Sequence, residues 1–153
     1  MKRQFIFISL MILGSVIGLY AQGPALNDFV IVGFIPGDMN MPQIEDRYRG
    51  HPKAYFTTES SVSGVEQITA AIAGRQITDL HVFVRSDLEG LFITSVPVTS
   101  ANLNTFSEQL SQWKNAVSGK VWIHNVTGNS TPELTSLLSE LGALAELEFL
   151  LVQ

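Results

Sequence analysis

Along this chain, short continuous apolar runs alternate with stretches whose apolar residues recur every three or four positions. The run from Asp28 to Phe34 (DFVIVGF) is β-branched and aromatic, with Asn27 before it and Pro36-Gly37 after it, and predicts a buried strand. Met41 to Tyr48 predicts two helical turns anchored by Met41, Ile44 and Tyr48. Ala54 to Thr58 predicts a short second strand, followed by a polar break at Glu59, Ser60, Ser61 and Ser63. Val65, Ile68 and Ile72 then fall on one helical face, and Gly74 is the candidate C-cap. Thr78 to Arg85 (TDLHVFVR) is apolar on both faces, the mark of a strand inside a sheet covered on both sides.

Leu91 to Thr94 and Val96 to Val98 predict a short strand or hairpin arm, kept near an edge by Pro97. Thr99 or Ser100 should cap a helix carrying Leu103, Phe106, Leu110 and Trp113 on its inner face. Lys120 to His124 (KVWIH) predicts another buried strand. Ser130, Pro132 and Glu133 combine a capping-box spacing with proline in the first turn. They open a helix with Leu134, Leu137, Leu138 and Leu141 inward and Gly142 as its stop, and a strand from Ala145 to Val152 closes the chain. Strand and helix in alternation, joined by short loops, imply a single three-layer α/β domain: a mostly parallel sheet with helices on both faces.

The first residues change the picture in one respect. Lys2 and Arg3 precede a mainly apolar stretch from Phe5 to Tyr20, and Ala21 stands before polar Gln22, the order of a signal peptide cleaved after residue 21. Gly14 and Gly18 interrupt a stretch already short for a membrane span, so no stable span is expected once it is removed. Residues 22–153 would then be the exported domain, periplasmic, secreted or at the cell surface, and its net charge moves from −5 to −7. A surface of that sign excludes nucleic acid as a natural partner and leaves a protein or surface ligand of unknown identity. The chain has no cysteine, so disulfides, thiol nucleophiles and thiolate metal sites are all excluded and stability must come from the core.

In open parallel sheets, ligands and catalytic groups collect outside the carboxyl ends of the strands. Two exits qualify: Arg85, Ser86, Asp87 and Glu89 after one strand, and His124, Asn125, Thr127 and Asn129 after the other. Arg85 with Asp87 could hold a charged group or simply form a solvated turn. His124 could serve as general base to Ser86 or Thr127 if the two exits are neighbours, although no G-x-S-x-G elbow presents a serine. His81 reads as a core or half-buried residue. His51, His81 and His124 lack ligand spacing and the glycines make no phosphate cradle, so neither metal nor cofactor is expected. Asn125-Val-Thr and Asn129-Ser-Thr fit the glycan acceptor pattern, a short match of little weight.

From Gly64 onward the chain resembles the bacterial domain of unknown function 4347. The resemblance rests on GVEQITAAIAG (Gly64 to Gly74), LHVFV (Leu80 to Val84), VTSANLNTF (Val98 to Phe106) and KVWIHN with the helix after it. It implies a caspase-like variant of the flavodoxin-like topology, in which a His-Gly follows one central strand and a Cys the next. Those sites fall on Arg85 and Ser86 and near Val126, so neither catalytic residue is present. The resemblance therefore implies the fold and argues against its peptidase chemistry. A non-catalytic binding or structural module is the expected function. The alternatives are a hydrolase using Ser86 or Thr127 with His124, and a fragment of a larger surface protein.

Overall fold

The computed structural model describes residues 27–33, 41–56, 61–88, 90–128 and 130–152. The segment read from the sequence as a signal peptide, Glu89 and Asn129 lie outside them. In chain order the elements are β1 (Phe29–Gly33), α1 (Met41–Arg47), β2 (Lys53–Phe56), α2 (Gly64–Ile72), β3 (Leu80–Asp87), β4 (Gly90–Phe92), α3 (Ser107–Trp113), β5 (Lys120–Asn125), α4 (Pro132–Ala145) and β6 (Glu148–Val152). A 3-10 turn, Leu103–Phe106, leads into α3.

Five strands pair in parallel in the order β2-β1-β3-β5-β6, and β4 folds back antiparallel on the end of β3. This is the order of the flavodoxin-like doubly wound sheets. All five residues of β1 and the first five of β3 are buried, as their unbroken apolar runs require. The register sets His81 opposite Trp122 and Phe83 opposite His124.

Connection handedness decides where the helices go. A right-handed crossover puts its helix on one face when the chain moves outward from β1 to β2, and on the other when it moves back through β3, β5 and β6. Among the described helices, α1 therefore covers one face, while α2, α3 and α4 pack side by side on the other. The main core lies on that three-helix side, with Ile31, Val82, Val84 and Ile123 against Ile68, Leu110, Trp113 and Leu141. A smaller cluster of Val30, Val32, Ile44, Tyr48 and Phe83 forms under α1. Among the described residues the helices lie on both faces, three to one.

Several local expectations shift. Strand β3 runs two residues further than the sequence suggests, because Arg85, Ser86 and Asp87 pair with Phe92, Leu91 and Gly90. The helix expected after Thr99 begins as a 3-10 turn, held by mutual bonds between Thr99 and Asn102, before α3 starts at Ser107. Thr131, not Ser130, caps α4, its hydroxyl accepting the Leu134 N–H at 3.1 Å. Gly142 does not stop that helix. It sits where the chain folds back against the helix: its carbonyl accepts the Leu147 N–H, and a Cβ there would meet the Leu147 carbonyl at 2.9 Å. The helix ends at Glu146, in the left-handed region with φ 53°. Ser63 and Glu66 form a full capping box on α2.

Candidate functional site

The exits of β3 and β5 are neighbours, as the expected crevice requires: Val84 pairs with Asn125, and the Val126 N–H donates to the Val84 carbonyl at 2.9 Å. Two of the side chains there, Thr127 and Arg85, are engaged by neighbours. The Thr127 hydroxyl lies 2.7 Å from Asn125 Oδ1 and 3.0 Å from the Ser86 carbonyl, two acceptors for its single proton. The Arg85 guanidinium lies over the Phe92 ring, 4.8 Å from its centroid, and only 4.0 Å at its nearest from the Asp87 carboxylate. Ser86 is buried, and by strand alternation it shares a face with Val82 and Val84, away from His81 and Phe83. Beside this end lies a cleft of about 130 Å3 lined by Asp87, Leu88, Gly90, Thr99, Glu133 and Leu137.

His124 is not part of that crevice. Its partner residue across the ladder is Phe83, so its ring turns to the α1 face and stacks on Phe83 with centroids 4.3 Å apart. Its Nε2 lies 3.0 Å from His81 Nδ1 and 3.5 Å from the Tyr48 hydroxyl, which is itself 3.2 Å from His81 Nδ1. The hydrolase pairing of His124 with Ser86 or Thr127 is therefore not formed. Of the residues expected at the exits, Arg85, Ser86, Asp87, Asn125 and Thr127 come together, and His124 goes elsewhere.

What His124 joins is a polar cluster under α1 that sequence reading misses. Tyr48, 1% exposed, bridges the two imidazoles, and His81 and His124 are each 8% exposed. At the far end, His81 Nε2 points toward Asp28 Oδ2 at 3.7 Å. Asp28 precedes β1, is 2% exposed, and accepts the Asp79 N–H at 3.1 Å. Asp79 precedes β3 and in turn accepts the Lys120 N–H at 2.8 Å and the Trp122 indole N–H at 2.9 Å. The Trp122 ring lies nearly parallel to His81, 6.2 Å between centroids.

Burial governs the electrostatics of this cluster. It pushes His124 down to about 3, with the nearby His81 and Arg47 charges acting in the same direction. His81 is also lowered by burial, against the opposing pull of Asp28 and Asp79. Burial raises the Tyr48 phenol. At neutral pH both imidazoles and the phenol are uncharged, and each ring nitrogen is a donor or an acceptor according to its tautomer.

Among the described residues no helix is long and apolar enough to cross a membrane. Comparison with curated proteins and with solved structures gives no significant match. Residues 46–148, from α1 to the first residue of β6, match the family described as "Domain of unknown function (DUF4347)", and the chain belongs to that family.

Proposed function

We propose that this chain is an exported, non-catalytic α/β domain, a binding or structural module whose recognition surface lies at the strand exits. One observation carries the reading. At the place where a sheet of this kind would present a nucleophile and its base, Thr127 is engaged with Asn125 and the Ser86 carbonyl, Arg85 packs on Phe92, and His124 faces the opposite side of the sheet. The chain has no cysteine to supply a thiol instead. The adjoining cleft carries Asp87 and Glu133, which, with the negative net charge, suits a neutral or basic protein surface and repels a phosphate backbone. The export half of the proposal rests on the order of Lys2, Arg3, the apolar stretch and Ala21.

The test is turnover. Purified protein offered a panel of chromogenic peptides and esters should hydrolyse none above the buffer rate. Turnover that disappears in Ser86→Ala or Thr127→Ala would overturn the proposal in favour of a hydrolase. Expressed with its leader in a bacterial host, the chain should be recovered outside the cytoplasm with Gln22 as its first residue. A cytoplasmic product still carrying Met1 would refute export.

A further inference from the structure

Asp28 and Asp79 bring two carboxylates together at the starts of β1 and β3, and no lysine or arginine side chain pairs with either among the described residues. Asp28 is buried and Asp79 half-buried, and a carboxylate drawn out of water without a countercharge is costly unless it is paired or holds a metal. The third member of the group is His81, 8% exposed. Its Nε2 is fully buried without a hydrogen-bond partner. With the proton on Nδ1, directed at His124 Nε2, the Nε2 lone pair faces a carboxylate. With the proton on Nε2, Asp28 Oδ2 at 3.7 Å is beyond hydrogen-bond reach. Neither tautomer satisfies the pair, whereas a cation between them satisfies both.

We propose that Asp28, Asp79 and His81 form a binding site for one divalent transition-metal ion. One ligand atom from each lies within 4.8 Å of the others. Ligands on a tetrahedral zinc ion sit roughly 3.3 Å apart, so the His81 to Asp28 gap closes by a few tenths of an ångström on binding. One nitrogen and two carboxylate oxygens suit zinc or manganese, and the charge of the ion equals that of the two carboxylates. A fourth position remains for water. Each ligand is also held from behind, as metal ligands usually are: His81 by His124 and Tyr48, Asp79 by Lys120 N–H and Trp122, Asp28 by Asp79 N–H. Helical i, i+4 spacing could not reveal this set, because strand pairing assembles it. The site lies away from the strand exits and is independent of the function proposed there.

The experiment uses the full chain without an affinity tag, stripped with chelator. Zinc titrated by calorimetry should bind with one equivalent, and cobalt should give visible absorption bands with nitrogen and oxygen ligation. Asp28→Asn and His81→Gln, shown folded by circular dichroism, should each lose affinity by roughly 100-fold or more, and Asp87→Asn should not. Should either variant fail to fold, histidine nitrogen NMR of the wild type decides: zinc must shift His81 Nε2 and leave His51 unmoved. No saturable binding by the folded wild type overturns the site. Binding undiminished in both variants, or a shift at His51 instead, also overturns it.

Discussion

Acid should destabilise this domain through His124, and the size of the effect follows from its surroundings. The imidazole is 8% exposed and stacked on Phe83, with His81 and Tyr48 beside it and the Arg47 charge at the end of α1; burial and the charges of His81 and Arg47 disfavour its cation. Its folded value of about 3 lies below the ordinary 6.5, so the unfolded chain takes up the proton first. Stability is therefore complete above about pH 6.5 and falls with pH until the folded value is reached. The slope approaches about 1.4 kcal/mol per pH unit below 6.5, which amounts to about 2 kcal/mol between pH 6.5 and 4.5. A domain of this size has only some 5–15 kcal/mol in total, so the loss is large. Urea unfolding followed by circular dichroism, in chelator to keep metal out, should show it in the wild type. His124→Phe keeps the stack on Phe83 and removes the titrating group, so its stability should fall less steeply by about 1.4 kcal/mol per unit. Equal slopes for the two proteins, or an imidazole titrating near 6.5 by NMR in the folded state, would refute the reasoning.

Three further outcomes follow from other parts of the fold. Trp113→Phe should cost about 2 kcal/mol in urea unfolding, roughly half from the lost indole bond to Thr69 and half from the void left in the core; a loss under about 0.5 kcal/mol would contradict the packing described. Ser63→Ala removes the α2 capping box and should cost about 1 kcal/mol, read as a lower melting temperature. Glu146→Gly should raise the urea midpoint, since relief of the left-handed φ at about 1 kcal/mol outweighs an exposed ion pair with Lys114; a lower midpoint would mean that pair matters more.

Much of the fold is legible in the sequence, because burial on both faces writes itself as an unbroken apolar run. DFVIVGF, LHVFV and KVWIH announce β1, β3 and β5, and the stripes Val65-Ile68-Ile72 and Leu134-Leu137-Leu141 announce α2 and α4. Boundaries are less legible where tertiary contacts set them. Pairing with β4 extends β3, and the stop of α4 falls at Glu146 rather than at the glycine before it. The uneven helix layers could be foreseen only from strand order, since crossover handedness acts on the path through the sheet. The buried cluster is hidden for the same reason. His81 lies in the buried run of β3 like a core residue, and Asp28, Tyr48 and His124 are remote in sequence, so only the parallel register makes them neighbours. The exit residues are legible because strand ends can be located, but a strand's alternation decides which face each side chain takes. A shift of one position separates His124 from Ser86.

The absence of a competent nucleophile at the strand exits is the central claim, and covalent labelling tests it most directly. Folded protein incubated with a fluorophosphonate and measured by intact mass should remain unmodified at Ser86 and Thr127, even after prolonged exposure. A stoichiometric adduct on either residue, abolished by denaturation and by His124→Ala in a folded variant, would contradict the account.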